Sequence, residues 1–432
     1  STRWLGWFNM PPDIQEMRSY IDAGLQLLAD KPQSGEHAAF LTYLAMWSIR
    51  QVKHASPDER PAIAEAALAN IHEALRIAEE VNDTAALWVT LDALGFIYEH
   101  QHLYLDAHKA HHRRQELASL IKGREELYDL YMSLGWSHLH IADYAAAAMW
   151  FGRAWRIAQT MESPSMLLLS MLGRMYVWYE WNRWSEVRVV AYDAMQMAEQ
   201  YQLDDQWLLD SLETLADIAY RTGALEESDS LVRQYRRMAE QRGIEPELTR
   251  SIYLAREEWA RAYSDFKEAL QRSEPFPRPF VVAIVAELAV TLGEDIETQQ
   301  QLCERAVTLT ERSGARKYQV IALRARGRMS LGQARYQDAE HDLKQALALC
   351  EMLDLPWEQG QTLTSLGFLY RERAKTAASG SEDAQAADAS LAHHYFERAL
   401  GYFESLKAIH DAERVRLALA EDAEVIRQDT LP

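Results

Sequence analysis

Five histidines, His100, His102, His108, His111 and His112, fall within thirteen residues, and His138 and His140 follow one structural unit later. Imidazoles can ligate metals or titrate near neutral pH. His108 and His112 stand four apart, so on a helix they share one face. No carboxylate or cysteine is spaced along the chain to complete a coordination set with them. The reading is a polar surface between helices with hydrogen-bonded imidazoles, and no metal is assigned. Titration near neutrality is a secondary use for such a cluster.

Other catalytic patterns are missing. There is no Gly-x4-Gly-Lys-Ser/Thr loop, no Gly-x-Gly-x-x-Gly after a strand, no His-Glu-x-x-His and no Gly-x-Ser-x-Gly. Cys303 and Cys350 both sit in apolar helical surroundings and read as small buried hydrophobes. No catalytic residue and no cofactor is therefore expected, and the chain is read as a binding protein rather than an enzyme. The candidates for binding are aromatic and charged: Phe96, His100, Trp136, His140, Arg174, Trp178, Arg221, Arg324, Arg328, Phe368 and Arg371. Aromatic rings beside a few charges suit a small molecule or peptide, and arginines suit a carboxylate or phosphate. Between them lies an acidic stretch at Asp210, Glu213 and Asp217.

These side chains need a scaffold, and the sequence repeats. Leu91, Leu94-Gly95, Tyr98 and Ala107 align with Tyr131, Leu134-Gly135, His138, Ala147, Phe151 and Ala154. Both align with Leu363, Leu366-Gly367, Tyr370, Ala392, Phe396 and Ala399. This is the tetratricopeptide pattern, in which Gly and Ala let two helices of a pair cross closely. The last small position of each second helix falls at Ala74, Arg114, Ala154, Ala194, Tyr235, Ala269, Ala306, Ala346 and Ala399. Those positions are spaced 40, 40, 40, 41, 34, 37, 40 and 53 residues apart. The standard repeat is about 34 residues, so the prevailing 40 requires longer helices or longer loops. Arg114 and Tyr235 break the small-residue rule, which predicts looser or shifted packing there.

The expected fold is all-α, a right-handed superhelical solenoid of about nine antiparallel helix pairs with a period near 40. A capping helix is expected within residues 1–36, the repeat array over 37–407 and a second capping helix over 408–432. Polar residues at 56–61 and small polar residues at 375–388 read as loops inserted in the array. Prolines 275, 277 and 279 mark a rigid break, because alternating prolines cannot continue a helix. In such a stack the first helix of each pair lines a concave groove, and the binding candidates above are its groove positions. They run from aromatic at the N-terminal side, through the acidic stretch, to arginine-rich at the C-terminal side.

Composition narrows the classes further. The chain has 432 residues and a net charge of −20, and a polyanion repels a nucleic-acid backbone. No direct nucleic-acid partner is expected. No run reaches the ~20 apolar residues that a membrane span needs, and the longest, Phe280 to Leu292, carries Glu287. Two cysteines without a disulfide pattern fit a reducing, cytoplasmic setting.

The 40-residue array resembles the sensor segment of STAND-class signal-transduction ATPases, in particular the C-terminal half of maltose-regulator-type transcription activators. The stretch Tyr395-Phe396-Glu397-Arg398-Ala399-Leu400-Gly401-Tyr402-Phe403, running into Ala412-Glu413-Arg414-Val415, is similar to the last repeats of such proteins. The resemblance implies an arm that binds an inducer, either a small molecule or a protein or peptide, in its groove. It also implies an upstream nucleotide-binding module of the same protein as the element regulated. The alternative is a stand-alone tetratricopeptide scaffold or signalling-peptide receptor.

Overall fold

A computed structural model of the chain describes residues 14–203, 207–241, 253, 254, 256–376 and 382–429. Among the described residues there are nineteen α-helices and no strand. A leading helix α1 (Ile14–Leu27) precedes the pair α2 (Gly35–Gln51) and α3 (Arg60–Glu80). The pairs α4 (Thr84–His100) with α5 (Tyr104–Glu116), and α6 (Arg124–His140) with α7 (Tyr144–Thr160), follow. Next come α8 (Pro164–Glu180) with α9 (Trp184–Gln200), and α10 (Trp207–Arg221) with α11 (Leu225–Gln241). Beyond α12 (Trp259–Ser273) are α13 (Pro279–Leu292) with α14 (Ile296–Ser313), and α15 (Arg316–Gly332) with α16 (Tyr336–Leu353). The pair α17 (Pro356–Thr376) and α18 (Glu382–Ser405) leads to a trailing helix α19 (Ile409–Asp429). This is the all-α solenoid class, a tetratricopeptide-like succession of helix pairs.

The 40-residue period has a simple geometric origin. Helices α6, α7, α8 and α9 start at residues 124, 144, 164 and 184. Each half-repeat is a 17-residue helix followed by a three-residue turn. The middle residue of the turn adopts the left-handed conformation: His102, Ala142, Glu162 and Asn182 have φ of 57°, 63°, 52° and 59°. The following N–H reaches back to close the helix end, as in Leu103 N to Tyr98 O (2.9 Å), Asp143 N to His138 O (2.9 Å) and Arg183 N to Trp178 O (2.7 Å). That is a Schellman closure, which satisfies carbonyls that the helix end would otherwise orphan. The residues added to the usual repeat therefore lie in the helices and not in longer loops.

Close crossing within a pair depends on glycine where the pattern placed it. A Cβ on Gly135 would come within 2.6 Å of the Phe151 ring, and one on Gly367 within 2.6 Å of Phe396. Leu134, Ala147, Phe151 and Ala154 are fully buried, as are Leu366, Phe396 and Ala399. Each buried phenylalanine contributes about 1.5–3 kcal/mol relative to an exposed one.

The chain divides into two compact units. One comprises Ser1–Arg174 with Ser273–Pro277, and the other Met175–Arg272 with Arg278–Pro432. The first has a core centred on Met46, Ile49, Ile71, Leu91, Leu94 and Ile97. In the second, Phe266, Val282, Val285, Cys303, Val320 and Leu323 belong to one continuous core.

Three expectations need correction. Arg114 does not loosen its pair. Its guanidinium is buried and bonded to Asp92 (2.6 Å) and Asp129 (2.5 Å), and it lies 4.3 Å from the centre of the Trp88 ring. Two carboxylates and an indole thus fill the place of a small residue. The expected loop at 375–388 is mostly helix: α17 runs to Thr376, and 382–388 form the start of α18. Residues 377–381 lie outside the described residues. The expected loop at 56–61 ends at Glu59, because α3 starts at Arg60, and Pro61 and Pro279 each sit in the first turn of a helix.

Candidate functional site

The second unit encloses an open cavity of about 940 Å³. Its wall is built chiefly from the first helices of successive pairs. The end of α8 supplies Tyr176, Tyr179 and Glu180, and α10 supplies Asp210, Glu213, Asp217 and Arg221. From α13 come Phe280, Ile284, Glu287 and Thr291, and from α15 Lys317, Tyr318, Ile321, Arg324 and Arg328. The start of α17 adds Trp357, Glu358 and Gln361, and α19 adds His410, Asp411 and Arg414. On α13 and α15 these residues recur at three- and four-residue steps, so each helix turns one stripe to the cavity.

One side of the wall is acidic and phenolic. Tyr176 donates its hydroxyl to Asp210, and Tyr179 donates to Asp217 at 3.1 Å. Burial, followed by these carboxylates, pushes both phenols well above their ordinary range. Asp217 also receives Arg221 through contacts of 3.0 and 2.9 Å, and that guanidinium sits over Trp357 at 4.5 Å. Glu180 accepts Lys317 at 2.9 Å and the Tyr318 hydroxyl at 3.1 Å.

The other side is built on arginine. Arg324 is buried and held by Glu287 (2.7 Å) and Glu358 (2.6 Å). Arg328, one turn later, donates to Thr291 at 3.2 Å and stands 3.9 Å from Glu287, which Arg324 already engages. Arg328 is half-buried, and its carboxylate neighbour is shared and stands at the edge of ion-pair distance. At the far end Asp411 gathers Trp357 Nε1 (3.0 Å), Gln361 (2.7 Å) and Arg414 (2.7 Å). The arrangement is suited to binding. The two thiols lie outside this wall, and burial pushes both up to about 12.

The eleven residues predicted for a groove separate into groups. Arg221, Arg324 and Arg328 line the cavity, together with the acidic stretch Asp210, Glu213 and Asp217. Charges that the linear reading set at successive stages of one groove thus share a single wall. Trp178 lies outside it, stacked on Trp181 at 5.7 Å. Phe368 packs edge-on to Phe396. Arg371 is buried and bonded to Ala418 O (2.5 Å) and Glu421 (3.1 Å), so it ties α17 to α19. The others are in the first unit. Phe96 packs on His100 at 4.0 Å, Trp136 lies beside His140 at 6.3 Å, and His140 stacks on Tyr104 at 4.4 Å. Arg174 is half-buried on α8.

Sequence reasoning missed Tyr176, Phe280, Tyr318, Trp357 and Tyr235. Phe280 starts the apolar run that carries Glu287, and the stripe Phe280, Ile284, Glu287, Thr291 was a legible signal. Trp357 lies on α17 eleven residues before Phe368, on a turn that the Leu-Gly rule did not reach. Tyr235 read as a packing fault and is instead a buried wall residue of the cavity.

No known protein-family description matches the chain, and no curated protein matches it in sequence. Solved structures do resemble it. Human IFIT1 dimer with m7Gppp-AAAA is 15% identical with a TM-score of 0.44, covering 98% of this chain and 89% of that one. The Rap conjugation gene regulator of the plasmid pLS20, in complex with a Phr peptide, is 12% identical with a TM-score of 0.40, covering 92% and 96%. A STAND protein with a tetratricopeptide repeat sensor from Pyrococcus horikoshii is 12% identical with a TM-score of 0.37, covering 92% of this chain and 64% of that one. These are likenesses of architecture and carry nothing about the ligand.

Proposed function

We propose that the chain is a ligand-binding regulatory domain whose second unit takes up a small molecule or short peptide carrying both an anionic and a cationic group. The observation that carries this is the charge state of the cavity wall. Arg328 is half-buried on the cavity wall, with a hydroxyl and a distant, shared carboxylate for partners. An incoming carboxylate or phosphate would satisfy it. Asp210, which also accepts the Tyr176 hydroxyl, and Glu213 make the α10 side of the wall acidic. Tyr176, Phe280 and Tyr318 supply flat apolar surface for an aromatic or aliphatic body. The volume is at the upper end of what small-molecule sites enclose, about 300–1,000 Å³.

Regulation of an ATPase module outside this chain is the second half of the proposal. It rests on the repeat architecture with its 40-residue period and on a cavity wall drawn from several helix pairs. A ligand bridging α10, α13 and α15 favours one spacing of those helices, and a module that reads that spacing is switched by population shift. The chain acts by binding, and no catalytic step is assigned to it.

Thermal-shift screening against charged aromatic metabolites and pooled short peptides with free termini, followed by isothermal titration, tests the first half. Arg328→Ala should weaken binding at least tenfold, because a hydrogen bond to a charged group is worth about 1.5–3 kcal/mol. The exposed His393→Gln should leave it unchanged. Sequencing the coding region upstream tests the second half, and a gene that encodes no nucleotide-binding module would defeat it.

A further inference from the structure

We propose that His108, His112 and His138, in the first unit, form a three-histidine site for a divalent transition-metal ion of the zinc type, with the fourth position left to water. His108 and His112 share one face of α5, and His138 comes from the last turn of α6. One ring nitrogen from each lies within 4.8 Å of the other two. The sequence did not bring these three together, because His138 is separated from His112 by a turn and most of a helix.

The geometry is that of a ligand set. His112 Nε2 and His138 Nε2 are 3.2 Å apart. Two nitrogens bound to one tetrahedral zinc at about 2.0–2.1 Å stand roughly 3.3 Å apart. The three rings meet edge to face, at interplanar angles of 67°, 89° and 74°. Rings that point nitrogens at one centre splay in this way, whereas stacked rings do not. His108 is the outlying member, its nitrogen within 4.8 Å of the other two.

The surroundings support it. His138 Nδ1 donates to Asp143 Oδ2 at 3.0 Å, which leaves Nε2 as the lone-pair nitrogen. A carboxylate behind a metal-binding imidazole is the usual orienting partner. Asp143 is itself fixed, since its Oδ1 caps α7 by accepting Ala146 N at 3.3 Å. His108 Nδ1 lies 3.4 Å from Ser137 Oγ. Burial, with the neighbouring imidazoles, lowers His108 to about 4 and also lowers His112. Three imidazoles and no first-sphere carboxylate favour zinc, copper or nickel over magnesium or calcium. The bound ion would join α5 to α6, the second helix of one pair to the first helix of the next.

The test uses the full chain stripped with EDTA. Titration with zinc chloride should show one equivalent bound and a raised melting temperature. Cobalt(II) should give the intense visible bands of a tetrahedral ion. His108→Gln and His112→Gln, both at half-buried positions, should each lose those bands and weaken zinc binding by ~100-fold or more, while circular dichroism in EDTA stays that of the unaltered chain. Asp143→Asn, which keeps the helix cap, should weaken zinc binding by ~10–100-fold. His393→Gln should change nothing. The proposal is overturned if no stoichiometric zinc binds, if cobalt gives only the pale octahedral spectrum, or if His112→Gln binds zinc as the unaltered chain does. The three rings would then be a hydrogen-bonded packing cluster alone.

Discussion

Arg114 shows how a single residue can violate a repeat pattern and still be part of its core. The guanidinium replaces a small side chain, and its charge is met by Asp92 and Asp129 inside the unit. Arg114→Ala removes one partner and strands Asp129 in a buried position, so it should destabilise the protein by about 3–5 kcal/mol. Urea unfolding monitored by tryptophan fluorescence measures this, and a loss under ~1 kcal/mol would show that the cluster contributes little. The cysteines make a separate case. Burial raises both thiols to about 12, above the ordinary value, so the thiolate is scarce in the folded chain at neutral pH. Neither Cys303 nor Cys350 should react with iodoacetamide at pH 8 until the protein unfolds, as mass spectrometry of the native and urea-treated chain would report.

Among the elements, the recurring unit is a helix of 17 residues and a turn of three, closed by one left-handed residue. Repeat sequences fill that position with residues other than glycine at a cost of about 1–2 kcal/mol each. Ala334, exposed with φ 56°, occupies such a turn. Ala334→Gly should therefore stabilise the fold by ~0.5–1 kcal/mol, read as a higher melting temperature, and a fall would show that the turn tolerates alanine without strain. The turns also explain what was legible. Helix pairs announced themselves through Leu-Gly, Ala and Phe at fixed spacing, because close crossing restricts residue size. The start of α18 did not, since its small polar residues are compatible with either loop or helix. The cavity wall was half legible for a related reason. Arg221, Arg324 and Arg328 follow the Leu-Gly rule, whereas Tyr176, Phe280 and Trp357 lie on turns whose direction depends on how neighbouring pairs stack. That stacking is a property of helix contacts distant in sequence.

At the scale of the molecule, the second unit holds the proposed ligand cavity and the first holds the histidine cluster. Each can be tested by its own substitutions. The central claim is that the cavity lined by α10, α13 and α15 takes an ion-bearing ligand through Arg328 on one side and Asp210 on the other. Isothermal titration of the strongest ligand from the screen into the unaltered chain, Arg328→Ala and Asp210→Asn measures it most directly. The account predicts one site per chain, with affinity at least tenfold weaker in both variants and unchanged in His393→Gln. Equal affinity in all four proteins would contradict it.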